Sequence, residues 1–141
     1  MQTVRDVMST DVQYCTLLDN IYEVAVKMRE FNVGAIPIVD DGRLVGMITD
    51  RDLVVRGMAE KHPGSTAVTE VMSRDLVTLS PDDSLQKAAD VMARHQIRRL
   101  PVVENGRLVG IVALGDLATN RYSDESAGRA LSEISEQHTV H

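Results

Sequence analysis

The chain has almost no aromatic residues: Phe, Trp and Tyr make up 3% of its 141 positions, and there is no Trp at all. The core must therefore be aliphatic, built from Val, Ile, Leu, Met and Ala. The rings that single-stranded nucleic-acid binders stack on bases are also missing. A net charge of −6 argues the same way, since phosphate backbones select basic faces. A single cysteine, Cys15, excludes an internal disulfide framework and fits a reducing compartment. No apolar run approaches the ~20 residues that span a bilayer, and the first residues lead straight into patterned sequence without a signal-peptide layout. A soluble cytoplasmic protein, bound to neither nucleic acid nor membrane, is the expectation. No pair of His or Cys has metal-ligand spacing, so no metal site is expected either.

The chain does carry an internal repeat. Shifted by 64 positions, Val4–Leu53 lies on Val68–Leu117 without a gap. Val7-Met8-Ser9 matches Val71-Met72-Ser73, Met28 matches Met92, Pro37 matches Pro101, and Gly42-Arg43-Leu44-Val45-Gly46 matches Gly106-Arg107-Leu108-Val109-Gly110. The division is residues 1–60 as repeat one, 61–67 as a linker with His62-Pro63-Gly64-Ser65 as breakers, and 68–119 as repeat two. Residues 120–141 form a polar, acidic tail in which Ala127–Ile134 suits a short helix.

Each repeat reads as β-α-β-β-α, giving an α/β (α+β) fold of two pseudo-symmetric units packed through their sheets. A short extended piece (Val12–Thr16, Leu76–Ser80) precedes a hydroxyl-x-x-Asp signal, Thr16–Asp19 and Ser80–Asp83, able to satisfy unpaired N–H groups at a helix start. An amphipathic helix follows, with Ile21, Val24, Ala25, Met28 and Phe31 on one stripe and Leu85, Ala88, Ala89 and Met92 on the other. Asp41-Gly42 and Asn105-Gly106 then mark tight hairpins between Ala35–Asp40 and Leu44–Thr49, and between Arg99–Glu104 and Leu108–Val112. A second helix begins near Asp50 and near Gly115. Pro37 and Pro101 fall inside strands, where proline marks an edge or a bulge, or frees the backbone of Ala35–Ile36 for a ligand. Cys15 aligns with Leu79 and reads as a small buried hydrophobe; His95 aligns with Phe31 and reads as a packed or rim histidine.

With both copies laid out, the chain resembles the cystathionine-β-synthase domain pair, the CBS tandem or Bateman module. The Val-Met-Ser openings, the Ile36-Pro37-Ile38-Val39 and Leu100-Pro101-Val102-Val103 strands and the Gly46-x-x-Thr49-x-x-Asp52 ending carry the likeness over about residues 4–118. It implies a stand-alone, non-catalytic regulatory module that binds an adenosine-containing ligand (AMP, ADP or ATP, S-adenosylmethionine or NAD) in a cleft between the repeats. It also implies a homodimer and a protein target that the sequence does not name. An adenine nucleotide would be a regulatory ligand, with no catalytic cofactor.

On this reading Asp52 accepts from the ribose hydroxyls and Thr49 contacts ribose or phosphate. Thr49-x-x-Asp52 is equally a helix capping box that needs no ligand. The second copy has Ala113 in place of the hydroxyl yet keeps Asp116, an acid that suits a ligand or the helix dipole; this leaves one full site per chain and leans slightly toward the scaffold alternative below. Arg98 and Arg99, ahead of Leu100-Pro101, suit phosphate, or else decorate a solvated edge strand. Gly34 and Ala35, with Ile36 and Pro37, would let a flat base lie on the backbone, and Arg51 and Arg56 are helpers. Without a nucleophile–base pair, a Gly-rich phosphate loop or a metal cluster, catalysis is not expected. The alternative is a ligand-free protein–protein interaction scaffold of the same fold, its aspartates mere helix caps. Exposed apolar faces at Leu53, Val54, Val55, Met58, Leu117 and Ala118 predict the dimer.

Overall fold

The two hairpins form where the turn dipeptides place them. In a computed structural model that describes residues 2–119, β2 (Ala35–Asp40) and β3 (Arg43–Thr49) flank Asp41-Gly42, and β4 (Arg99–Glu104) and β5 (Arg107–Ala113) flank Asn105-Gly106. All four turn residues have positive φ, 51° and 81° at Asp41 and Gly42, 54° and 82° at Asn105 and Gly106. That is the turn whose twist matches the strands it joins. The mixed α+β architecture is as expected. The remaining elements are α1 (Val4–Val7), β1 (Cys15–Thr16), α2 (Ile21–Phe31), α3 (Asp50–Asp52), α4 (Leu85–His95) and α5 (Leu114–Ala118). The expected helix at Ala127–Ile134 lies outside the described residues.

The chain forms two compact units that do not coincide with the sequence repeats. Among the described residues, one gathers Gln13–Leu76 with Gly106–Leu108; the other gathers residues 2–12, 77–105 and 109–119. Each repeat's Val-Met-Ser opening is thus separated from the hairpin that follows it in sequence and pairs with the other copy's hairpin. In the first unit Ser73 pairs with Met47 of β3, with Met47 N–H donating to the Ser73 carbonyl at 2.9 Å and Ser73 N–H returning at 2.8 Å. In the second, Ser9 pairs with Ile111 of β5 by the same two bonds, at 2.8 and 2.9 Å.

This pairing explains the glycine that closes each Gly-Arg-Leu-Val-Gly motif. A Cβ on Gly46 would lie 2.5 Å from Met72 Sδ and 3.2 Å from the Ser73 carbonyl oxygen; one on Gly110 would lie 2.7 Å from Met8 Sδ and 3.0 Å from the Ser9 carbonyl oxygen. Methionine crosses bare backbone at both places.

Each unit has its own aliphatic core. In the first, Ile21, Val24 and Met28 of α2 meet Ile36, Ile38 and Ile48 of the hairpin, with Val68, Val71, Met72 and Cys15. In the second, Leu85, Ala88, Ala89 and Met92 of α4 meet Leu100, Val102 and Val112, with Val4, Leu79, Leu114 and Leu117. The helix stripes hold with two corrections: Ala25 is exposed and Phe31 is 45% exposed at the end of α2. His95, aligned with Phe31, is exposed as well. The hydroxyl-x-x-Asp signals also act one step earlier than expected. Asp19 and Asp83 accept from the N–H groups of Thr16 and Ser80 at 2.7 and 2.8 Å, closing a turn. The helix caps are the next residues, Asn20 and Ser84.

The strand prolines sit where no ladder donor is required. β1 pairs in parallel with β2 from Cys15↔Ile38, so Pro37 lies one residue before the first pair. Pro101 stands likewise one residue before the Leu79↔Val102 bridge. The bulge is nearby but separate: Ile38 faces Gly46 and Val39 faces Leu44, which leaves Val45 unpaired with β2.

Substituting Gly46→Ala forces a methyl into a buried methionine and a carbonyl. We expect a loss of about 1–3 kcal/mol, the usual range for overpacking, read from urea unfolding. Gly115→Ala has nothing within 4 Å of its added methyl and serves as the control.

Candidate functional site

The first unit's strand-to-helix turn is built from Ala35, Thr49, Asp50 and Asp52. Antiparallel register sets Ala35 opposite Thr49 and Ile36 opposite Ile48, which brings the Ala35-Ile36-Pro37 backbone alongside the end of β3. There Thr49 and Asp52 form a capping box: Thr49 N–H donates to Asp52 Oδ2 at 2.9 Å, and Asp52 N–H donates to Thr49 Oγ1 at 3.1 Å. Both residues are half-buried. The box fixes the Asp52 carboxylate through one oxygen, and Oδ1 takes no hydrogen bond among the described residues.

Asp50 adds a second fixed carboxylate that sequence reasoning passed over. Its N–H donates to the Gly34 carbonyl at 2.9 Å, and its Oδ1 accepts from Arg51 N–H at 2.8 Å. Its Oδ2 lies 3.3 Å from the position a Cβ on Gly34 would take. A side chain at Gly34 would therefore crowd the Asp50 carboxylate. Arg51 itself is exposed, as is Arg56.

After Asp52 the chain does not continue as an α-helix. Leu53–Gly57 is a π turn, in which the Met58 N–H reaches the carbonyls of Leu53 and Val54, and Met58–Glu60 is a 3₁₀ turn. The β-branched pair Val54-Val55 followed by Gly57 was the available signal, since both weaken α-helix formation. Val54 and Met58 are 55% and 74% exposed, and Val55 is exposed too. Leu117, expected on a comparable face of the second copy, is instead fully buried in its own unit's core.

The other candidate residues, Arg98, Arg99, Leu100, Pro101 and Asp116, belong to the second unit. Arg98 and Arg99 are exposed; Leu100 and Pro101 are buried. The Arg98 carbonyl accepts from Leu114 N–H at 2.7 Å, the counterpart of the Gly34–Asp50 bond. Asp116 Oδ2 accepts from Ala113 N–H at 2.8 Å. Half of the capping box therefore survives the loss of the hydroxyl. This backbone bond gives Asp116 a structural role at the helix start, beside the dipole role an acid in the first turn already has.

Among the described residues, no group of three His, Cys, Asp or Glu could hold a metal ion. Cys15 is buried and its thiol pKa is pushed up to about 11, chiefly by burial and then by the Asp19 carboxylate. Asp19 and Glu23 share a hydrogen bond that lowers the pKa of Asp19 and raises that of Glu23.

A family model for the CBS domain matches residues 4–58 and again 68–123. The CBS domain-containing protein YhcV of Bacillus subtilis is 53% identical over 137 residues, covering 97% of this chain and 98% of its own. Hypoxic response protein 1 of Mycobacterium tuberculosis is 41% identical over 120 residues, covering 84% of each chain. A crystal structure of Hypoxic Response Protein I with two coordinated zinc ions superposes with a TM-score of 0.75 at 40% identity, over 84% of this chain and 98% of that one. The CBS domain pair of protein MJ0100, in complex with 5′-methylthioadenosine and S-adenosyl-L-methionine, superposes with a TM-score of 0.72 at 30% identity, over 84% and 94%.

The Cys15 environment is directly testable. A thiol raised from 9.0 to about 11 holds on the order of 100-fold less thiolate at pH 8 than the unfolded chain. Alkylation of native protein should be slower by at least that factor and rise to the unfolded rate in denaturant. Because the folded-state pKa is the higher one, the stabilisation from the neutral thiol is complete below pH 9 and is lost as pH climbs toward 11.

Proposed function

Because the chain belongs to the CBS domain family, as two tandem copies, we propose that it is a non-catalytic regulatory module for an adenosine-containing ligand. AMP, ADP, ATP, S-adenosylmethionine and NAD are the class to test. The observation that carries this reading is the half-used carboxylate of Asp52. A cap needs one oxygen, and Oδ2 supplies it; Oδ1 remains, immobilised at the turn, as an acceptor for a ribose hydroxyl. Thr49 borders the same turn, and the Ala35-Ile36-Pro37 backbone runs beside it for the base. Arg98 and Arg99, on the second unit, are proposed to meet phosphate oxygens through their guanidinium forks, with Leu100 and Pro101 as backbone support there and Arg51 as a helper. The adenosine-type ligands of the MJ0100 pair support the ligand class. A zinc site of the kind found in Hypoxic Response Protein I has weaker support, because no described cluster here offers three metal-binding side chains.

The ligand signals by shifting the protein between conformations, and it does so only through a difference in affinity for them. A cytoplasmic homodimer is part of the proposal, supported by the exposed Val54, Val55 and Met58. The second reading, a ligand-free interaction scaffold, is favoured by one fact: both aspartates complete a backbone bond without any ligand.

Calorimetric titration of the named ligands into wild type, Asp52→Asn and Asp52→Ala separates the two. Loss of a hydrogen bond to a charged group should weaken binding by about 1.5–3 kcal/mol, at least tenfold. A scaffold would show no binding heat in any variant and only the ~1 kcal/mol cost of a lost cap in Asp52→Ala. Sedimentation of the wild type should give a dimer at micromolar concentration; a clean monomer would remove the exposed turn from this role.

A further inference from the structure

The turn that carries Asp52 leads straight into a segment that stands between two helical registers. The π turn Leu53–Gly57 ends on a shared bond: the Met58 N–H reaches both the Leu53 carbonyl, five residues back, and the Val54 carbonyl, four residues back. The first partner is that of a π turn and the second that of an α-helix. A small movement of one amide gives its hydrogen wholly to either.

Both ends of this segment are held, and all of the contacts lie within the first unit. At its start Asp52 is tied to Thr49 by both bonds of the capping box, and Leu53 packs on the core. At its end the linker takes over. His62 N–H donates to the Gly57 carbonyl at 3.0 Å, and Lys61 N–H to the Met58 carbonyl at 3.0 Å. The linker then caps α2, its Gly64 and Thr66 carbonyls accepting from the N–H groups of Tyr22 and Ile21 at 3.1 and 3.0 Å. On the segment itself are the exposed side chains of Val54, Val55 and Met58. Closing the wide turn to α geometry rotates the residues beyond it by roughly 100° against those before it, one residue's share of an α-helical turn. That rotation re-aims Met58 and moves the carbonyls that the linker holds.

Gly57 is the residue that sets the balance. It is buried, yet a Cβ there would lie 3.5 Å from Ile21 Cδ1 and 3.9 Å from the Asp52 carbonyl oxygen, both ordinary contact distances. Its φ of −96° suits any residue. Neither a close approach nor a left-handed backbone requires the glycine. Its effect is to weaken the α register, by about fivefold relative to alanine, and the β-branched Val54-Val55 before it acts in the same direction.

We propose that Leu53–Gly57 is a register switch through which a ligand at the Asp52 turn re-aims the exposed apolar side chains and the linker bonds. The switch rests on the adenosine reading and supplies its output. Peptide dipoles aligned in a continuous α-helix turn their positive end toward the ligand, so a nucleotide bearing phosphate favours the α register. Binding and register are then reciprocal: a change that favours the α register strengthens nucleotide binding by the same factor.

The probe is AMP, titrated by calorimetry into wild type and Gly57→Ala, with the Met58 and His62 amides followed by NMR. In wild type, saturating AMP should shift both amide resonances and slow their hydrogen exchange. Gly57→Ala, whose added methyl meets only ordinary contacts, should bind AMP more tightly, by up to about fivefold. Its Met58 and His62 resonances should lie displaced toward their AMP-bound positions before any AMP is added. Equal or weaker AMP binding by Gly57→Ala overturns the switch and leaves the ligand reading standing. So does saturation of wild type that leaves both amides unmoved. AMP that fails to bind wild type overturns the switch as well, and failure of ADP, ATP, S-adenosylmethionine and NAD alongside it removes the adenosine reading too.

Discussion

Methionine over bare glycine is the contact on which both units depend. Met72 lies on Gly46 and Met8 on Gly110, each followed by a serine whose backbone completes a two-bond bridge to the strand beyond. The glycine supplies access, the methionine supplies a flexible apolar side chain, and the serine supplies main-chain pairing. None of the three works without the others, because a Cβ would displace the sulfur and the displaced segment would lose its bridge. The consequence is an exchange of segments. The opening of each repeat completes the hairpin of the other copy, so neither repeat in its sequence boundaries contains a whole core. Val4 is buried in the core around α4, and Val68 in the core around α2. This explains why the repeats come as a pair.

On these frames the two strand-to-helix turns have diverged. Both keep an aspartate whose Oδ2 accepts from the backbone N–H three residues earlier, so both helices start the same way. Around that shared bond the charges differ. The first turn has Gly34, Asp50 and Asp52, two carboxylates and no bulk; the second has Arg98, Leu114 and Asp116, a guanidinium and a buried leucine at the matched places. A duplicated scaffold held by backbone bonds can change its side chains freely, and over these positions the first copy is doubly acidic while the second balances one arginine against one aspartate.

Most of the fold was legible because its signals are local. Hairpin turns were marked by Asp-Gly and Asn-Gly, helices by period, and the repeat by plain identity. What was hidden required knowing which segments meet. That Ser73 pairs with Met47 rather than with its own repeat's strand cannot be read from spacing, although the paired Met and Gly positions were visible in both copies. The helix starts were displaced by one residue because Thr16–Asp19 and Ser80–Asp83 satisfy turn N–H groups, leaving Asn20 and Ser84 to cap. The π turn was concealed because Val54, Val55 and Met58 keep an apolar pattern that suits a regular helix. Leu117 turns inward with Leu114 because α5 is only five residues long and these two leucines share its core-facing side, while Ala118 is exposed.

The candidate site was legible in residue identity but not in how its evidence should be weighed. Comparing the copies, Ala113 against Thr49, leaves the acid open to either use, since an aspartate kept without the hydroxyl fits a ligand contact or a charge at a helix start. The structure adds a third use: a capping box is two bonds, and the one made by the carboxylate to the N-cap backbone is independent of the hydroxyl. Capping and ligand binding are nevertheless not rival uses of the same atoms. A carboxylate has two oxygens, and the backbone bond engages Oδ2 while holding Oδ1 in a fixed direction. A flexible aspartate would lose entropy on meeting a ribose, whereas one already immobilised by its helix has less left to lose. The cap is thus the structural condition that makes Asp52 a good acceptor.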